Sequence, residues 1–335
     1  MQNILNRSPK KRLNLSKFCQ MHLSRFLARR VPFPVSRFYL SCMGKLYYLL
    51  NPQERDLICH AITQVFEPRM PQSALSGLIA RTFRGIFTHY QEKLFLAYAP
   101  VNRVKAELQQ RLQIRGATEL KNALDRGCGV ILATGHFGAV EFLPGALALQ
   151  GWPTAIIVRP QTKELAASLT SRAALINLKL IFPEHGKVLP AALKSLREGR
   201  ILITECDEFE QWRLNSEQSV DFLGFHLPSD RTLNVLQKRS GAPVLTALVR
   251  REPKRQYCVQ LAGVPAFSST RETSAHCLHR LQEEIFRHPE QWYQWKEFGR
   301  FIAALPVHCP PPTAYRSLSA VPCALNCAVL TTQGG

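Results

Sequence analysis

The chain has 335 residues, 46% of them hydrophobic, and its 43 Lys and Arg against 24 Asp and Glu give a formal net charge of +19. This length and composition describe a globular protein able to bury a sizeable core, and exclude a wholly disordered chain or a small disulfide scaffold. Its 10 cysteines are scattered with no CxxC pair, which excludes a zinc ribbon and fits a reducing cytosol. The charge calls for an anionic partner: nucleic acid, phospholipid headgroups or an acidic carrier protein.

Residues 1–10 are polar and basic. Leu13 to Arg30 then sets Leu, Phe and Met at helical spacing between Lys, His and Arg. That pattern serves an interfacial helix, or a core-packing helix with a solvated basic face. Pro32 and Pro34 interrupt it. The best apolar stretch, Phe33 to Leu50, is broken by Arg37 and Lys45 and falls short of the roughly 18 apolar residues that span a bilayer. The expectation is a protein that lies on a membrane rather than through it. Residues 35 to about 113 continue as mostly helical material, amphipathic at 53–67 and 73–98.

From Gly129 the pattern changes to short apolar runs bounded by turn residues: GVILAT, then Thr154 to Val158, Leu178 to Phe182, Arg200 to Thr204, Pro243 to Val249 and Tyr257 to Leu261. These read as strands. Helical patterns at 163–177, 188–198 and 229–240 separate them, and another at 272–287 follows the last. The alternation predicts an α/β fold, a mainly parallel central sheet with helices on both faces, preceded by an N-terminal helical membrane-associating region. The expected division is a helical region over 1–113, an α/β domain over 114–305, and a disordered tail over 306–335 that is rich in Pro, Ser, Thr and Ala.

Ligands in such sheets gather beyond the carboxyl ends of strands, where GVILAT runs into Gly135-His136-Phe137-Gly138-Ala139-Val140-Glu141. On one continuous helix His136 and Glu141 would diverge. With His136 in a loop and Glu141 in the next helical turn, Gly135 and Gly138 allow the chain to bend back so that carboxylate meets imidazole. A carboxylate on one ring nitrogen fixes the tautomer and leaves the other to take a proton from an alcohol. A His–Glu base of this kind suits direct attack of a hydroxyl on a thioester. The alternative is a histidine that merely caps a strand end. No metal-ligand spacing is visible, and Gly186-Lys187 lacks the rest of a phosphate-binding loop.

TGHFGAVEFLP resembles the signature of the bacterial late acyltransferases of lipid A biosynthesis, within the wider lysophospholipid acyltransferase superfamily. Further blocks agree in order: Arg159-Pro160, then Glu198-Gly199-Arg200 leading to Ile203-Thr204-Glu205-Cys206-Asp207. Val220-Asp221-Phe222-Leu223-Gly224 with Pro228 follows, then Ser240-Gly241-Ala242-Pro243-Val244, and finally His288-Pro289-Glu290-Gln291-Trp292-Tyr293-Gln294-Trp295. The chain departs from the family at Ala139-Val140, where Asn-Trp is usual, at Gln161 to Glu164, where an Asn is expected, and at Cys206-Asp207-Glu208 in place of Asp-Gln.

The resemblance implies a fatty acyl donor on acyl carrier protein or coenzyme A, a lipid hydroxyl as acceptor, His136 as base and Glu141 as its partner, with no cofactor beyond the acyl thioester. Arg159 would hold a phosphate or the oxyanion, or is a surface arginine at a strand end. Asp207 would position the acceptor, orient Arg159, or cap a helix. Cys206 is expected to be an inert strand-end thiol, and the Trp292, Tyr293 and Trp295 cluster to pack the C-terminal helix. The expected partners are the carrier or acyl-CoA, the lipid acceptor and an anionic membrane, without nucleic acid, on the cytoplasmic face of a cell inner membrane. An apolar groove beside His136 would measure the acyl chain. The rival readings are an acyltransferase for a lysophospholipid, glycolipid or other lipid, and a non-catalytic basic protein that binds lipid or nucleic acid.

Overall fold

The computed structural model describes residues 15–183, 186–265 and 270–305. The basic residues 1–10 and the tail expected over 306–335 lie outside them. Helices α1 (Leu15–Cys19), α2 (His22–Arg30), α3 (Phe33–Leu50), α4 (Pro52–Phe66), α5 (Gln72–Tyr98) and α6 (Val101–Arg111) come first. Prolines punctuate this series: Pro34 and Pro52 stand in first turns, and Pro32, Pro71 and Pro100 immediately before helices, where a missing N–H costs nothing. The single helix expected over Leu13 to Arg30 is two helices, α1 and α2, with a break at Gln20 and Met21.

The α/β part follows as β1 (Leu112–Arg115), α7 (Ala117–Leu124), β2 (Val130–Thr134), α8 (Leu143–Leu149), β3 (Thr154–Ile157), α9 (Lys163–Ala173), β4 (Leu178–Ile181), α10 (Val188–Arg197) and β5 (Ile201–Glu205). Then come β6 (Leu214–Phe222), β7 (Phe225–Asp230), α11 (Thr232–Ser240), β8 (Val244–Glu252), β9 (Gln256–Gly263), α12 (Thr270–Arg287) and α13 (Trp295–Ala303). The main sheet has seven strands in the order β1-β9-β8-β2-β5-β3-β4, and β6-β7 form a separate antiparallel hairpin. Strands β8, β2, β5, β3 and β4 run parallel.

β2 is central, and all five of its residues are buried. Its side chains alternate between two cores, as the period of a strand requires. Ile131 and Ala133 pack with Ala192 and Leu196 of α10, Leu233 and Leu236 of α11 and Cys277 of α12. Val130 and Leu132 pack with Leu108 of α6, Leu120 of α7 and Leu147 of α8. Burial on both faces explains the unbroken VILAT run. A third core joins the N-terminal helices to the hairpin and to Trp292, Trp295 and Phe298.

The sheet is mainly parallel, as expected, with one antiparallel pair. β9 is antiparallel to β8 and β1 pairs parallel to β9, because only the short turn Pro253–Arg255 links β8 to β9 and a parallel crossover needs a dozen residues or more. β1 lies where the helical reading extended to residue 113, and β7 occupies the start of the helix expected from 229.

No helix of the described residues is long and apolar enough to cross a membrane. The large apolar side chains left exposed concentrate on α2 and α3: Leu23, Phe26, Val35, Phe38 (74% exposed), Leu46, Leu49 and Leu50 (67% exposed). On α3, positions 35, 38, 42, 46 and 49 recur every three or four residues and form one outward stripe.

Candidate active site

β2 and β5 are parallel neighbours in register, with Thr134 opposite Glu205, and Cys206 N donates to Thr134 O at 2.8 Å. Their carboxyl ends therefore deliver two loops side by side: Gly135-His136 from β2 and Cys206-Asp207-Glu208 from β5. Asp207 is fully buried. One of its oxygens, Oδ1, accepts from His136 Nδ1–H at 2.9 Å. Its carboxylate also accepts from the His136 backbone N–H at 2.9 and 3.1 Å and from Trp292 Nε1–H at 2.7 Å. The Gln294 amide lies 3.1 Å from the same Nδ1.

The far nitrogen of His136, Nε2, faces Glu205 Oε2 at 3.4 Å and Glu208 Oε2 at 3.9 Å. Burial opposes charging of this imidazole, but the carboxylates of Glu205, Asp207 and Glu208 outweigh it and raise its pKa from 6.5 to about 10. Burial raises the Glu205 carboxyl in turn, His136 opposes that rise, and Glu208 and Asp207 add to it. Three carboxyl groups thus surround the imidazole, so the proton affinity of each group depends on the charge of the others.

The loop after His136 is stitched to its surroundings. Gly138 N donates to Gln291 O and Ala139 N to Val249 O, each at 2.9 Å, and Phe137 bridges to Trp292. Gly138 has φ +59°, and a Cβ there would lie 1.7 Å from Val249 O, so only glycine fits. This path puts His136 in the loop and Glu141 in the single turn Val140–Phe142, as expected. It does not fold Glu141 back onto His136. Glu141 Oε1 instead lies 3.2 Å from Lys93 Nζ and 3.6 Å from His89 Nε2, both on α5. No ion pair within 4.0 Å joins His136 to Glu141 among the described residues. The carboxylate at Nδ1 is that of Asp207, because the stitched loop directs Glu141 toward α5.

Burial opposes the charge of Lys93, and Glu141, Glu205 and Glu208 together raise its pKa. His89 is driven the other way by burial and by Lys93 and Arg251, which favours its neutral form. The Tyr293 ring stacks on His89 with centroids 3.6 Å apart and meets His136 edge-on at 5.2 Å. Arg159 follows β3 on the same sheet edge, is exposed, and has no hydrogen bond or ion pair among the described residues. Burial and the Asp207 charge push the Cys206 thiol up, opposite to the shift of an activated nucleophile.

A cavity of about 290 Å³ opens beside Glu205, between β5, the hairpin, α11 and α12. Trp212, Val220 and Leu278 line it together with Ser219, Ser229 and Thr232. Its wall is mainly apolar with polar groups interspersed, and His136 is not among the residues that line it. His136, Glu205 and Glu208 each present a donor atom within 4.8 Å of the others, a cluster a metal ion could bridge. Sequence spacing shows no such set because two separate loops supply it.

Of the residues singled out by sequence, the structure joins His136 to Asp207 and leaves Glu141 and Arg159 apart from that pair. Sequence reasoning missed Glu205, Glu208, Lys93, His89, Tyr293 and Gln294, and gave Trp292 only a packing role. Trp292 packs in the core and also donates to Asp207. The available signals were the position of Glu205 at a strand end beside β2 and the polar Gln294 between two tryptophans.

Residues 21–297 match the family model described as bacterial lipid A biosynthesis acyltransferase. A search of curated proteins finds no match to this chain.

Proposed function

Taking as premise that the chain belongs to the bacterial lipid A biosynthesis acyltransferase family, we propose that it is an O-acyltransferase moving a fatty acyl chain from a thioester to a hydroxyl of a lipid A precursor-like lipid. The observation that carries this reading is His136, held at Nδ1 by buried Asp207 while Nε2 faces Glu205, a residue that lines the neighbouring cavity. An imidazole so oriented takes a proton at Nε2.

The acceptor O–H gives its proton to Nε2 as its oxygen bonds to the thioester carbonyl carbon. The tetrahedral intermediate then collapses with cleavage of C–S, and the departing thiolate takes the proton back from Nε2–H. Asp207 steadies the transient imidazolium. Nε2 must start unprotonated, and because the surrounding carboxylates raise the His136 pKa, the active form of the base grows in as pH rises.

Glu141 acts as a positioning residue, holding Lys93 where its ammonium is felt by Glu205 and Glu208. Arg159 is assigned to a phosphate of donor or acceptor, for which a permanently charged fork is suited. The donor is acyl carrier protein or acyl-CoA, each acidic enough to be drawn to a chain of net charge +19. No cofactor beyond the thioester enters this mechanism. The apolar stripe of α3 with the arginines of α2 supports peripheral attachment to the cytoplasmic face of an inner membrane.

The test is acyl transfer from radiolabelled acyl carrier protein and acyl-CoA to lipid A precursor, lysophospholipid and glycolipid acceptors, with His136→Ala alongside. A labelled lipid lost in His136→Ala supports the reading and names the acceptor. A product indifferent to His136 sinks it.

A further inference from the structure

Away from His136, an open groove of about 290 Å³ is lined by Phe33, Pro34, Arg37, Phe38, Ser41 and Arg255. It lies between the first turns of α3 and the β8–β9 turn. Its chemistry is two guanidinium groups beside exposed aromatic surface.

Arg37 is exposed, with no hydrogen bond or ion pair among the described residues. Arg255 is held in place: its guanidinium stacks 4.0 Å above the Phe33 ring and Nη2 pairs with Glu107 at 2.5 Å. Its Nε is buried without an acceptor. The turn that presents it is strained, with Lys254 at φ +55° and Arg255 at φ +59°, a conformation that favours glycine. Strain of this kind persists where surrounding structure imposes it and gathers at binding sites. On the groove's wall, Phe38 is 74% exposed and belongs to the outward apolar stripe of α3.

The groove also sits on the catalytic edge of the sheet. β2 pairs with β8 only as far as Thr246, and the loop carrying His136 bridges Val249 at Gly138. β8 continues past that point to Glu252, so its turn projects beyond the same edge.

We infer that this groove is a binding subsite for the phosphate of an anionic lipid, with Arg37 and Arg255 on the phosphate oxygens and the lipid's hydrocarbon beside Phe38. Forked donors and phosphate oxygens match in geometry, and Arg255 is already oriented by Phe33 and Glu107. The occupant is a lipid rather than a soluble phosphate because the cationic pocket opens onto an exposed apolar stripe. The inference rests on the proposed function only for what the bound lipid is used for, and binding is measured without turnover.

The experiment is flotation of the full chain with phosphatidylcholine vesicles, with and without phosphatidic acid, comparing Arg37→Gln, Arg37→Lys, Arg255→Lys and Lys45→Gln. Lys45 stands on α3 outside the groove and reports diffuse surface charge, worth about fivefold in binding. Arg37→Gln is expected to weaken phosphatidic acid binding by about tenfold or more, and both Arg→Lys variants to lose most of that amount because a point charge replaces a fork. Glycerol 3-phosphate in solution should not compete.

Equal losses in Arg37→Gln and Lys45→Gln, or full retention in the lysine variants, would overturn the subsite in favour of diffuse attraction. Competition by glycerol 3-phosphate would overturn the lipid assignment. His136→Ala should bind as the unaltered protein does, so a failed acyltransferase assay with intact lipid selectivity refutes the function and leaves the subsite standing.

Discussion

Asp207→Asn separates the carboxylate the structure places on His136 from the one that sequence spacing proposes. Asp207 accepts from three N–H groups: the His136 amide, His136 Nδ1 and Trp292 Nε1. An asparagine of the same shape keeps one acceptor oxygen and turns an NH2 toward a donor. One buried N–H then loses its acceptor, at about 1–3 kcal/mol of stability. The tautomer with a proton on Nδ1 also loses its support. General-base catalysis contributes about 10²–10⁴-fold, so kcat/KM should fall by that factor, about 3–5 kcal/mol in the barrier, with KM for the acceptor little changed.

The pH profile gives a second reading. Asp207 is among the groups that raise the His136 pKa to about 10, and the base works only when Nε2 is free. Removing its charge lowers that pKa, so the acid limb of residual activity should move to lower pH. The assay is steady-state acyl transfer across pH, with thermal unfolding alongside. Activity within a few-fold of the unaltered protein and an unmoved acid limb would refute the assignment of Asp207.

Glu205→Gln should likewise shift the acid limb of kcat/KM downward, since the Glu205 charge raises His136. Glu141→Gln should lower activity without moving that limb, because Glu141 contacts Lys93 and His89; a shift as large as that of Asp207→Asn would restore Glu141 as the imidazole's partner. The folded-state pKa of His136 lies above its ordinary 6.5, so its protonation stabilises the fold fully below about pH 6.5 and that contribution is lost as pH rises through about 10; chemical denaturation of unaltered and His136→Gln proteins should show their difference shrinking over that window. Arg251→Met should cost about 3–5 kcal/mol, because Arg251 pairs bidentately with buried Glu92 and is its only ion-pair partner within 4.0 Å among the described residues. Phe38→Asp with Leu49→Asp should weaken vesicle binding with unchanged circular dichroism.

What was legible in the sequence follows from where the determining contacts lie along the chain. β2 declared itself because burial on both faces demands VILAT without interruption, and Gly138 because its backbone touches Val249. The placement of His136 in a loop and Glu141 in the following turn was local and came out correctly. The partner of His136 was not local. Asp207 is separated from it by 71 positions and meets it because β2 and β5 are adjacent and in register, and Trp292 reaches Asp207 from 85 positions away. The four-residue β1 was hidden because it follows a helix directly and pairs only at the sheet edge. The antiparallel direction of β9 was hidden because a strand's apolar run carries no direction.

The same distribution bears on how the protein would meet its substrates. A lipid with chains in a bilayer can present a hydroxyl to His136 only if the carboxyl edge of the sheet faces that bilayer. On the proposed reading the attachment needs no crossing helix, since an apolar stripe together with basic charge supplies the two signals that stable peripheral binding requires. The arginine groove and the β8 turn flank the edge from which the His136 loop emerges, and the first turns of α3, where the stripe begins, line that groove. Binding energy gathered there, remote from the reacting oxygen, is available to orient the acceptor hydroxyl toward Nε2. Losses on α3 should therefore appear chiefly as a raised KM for lipid acceptors, and losses at Asp207 or Glu205 as a lowered kcat with an altered pH profile.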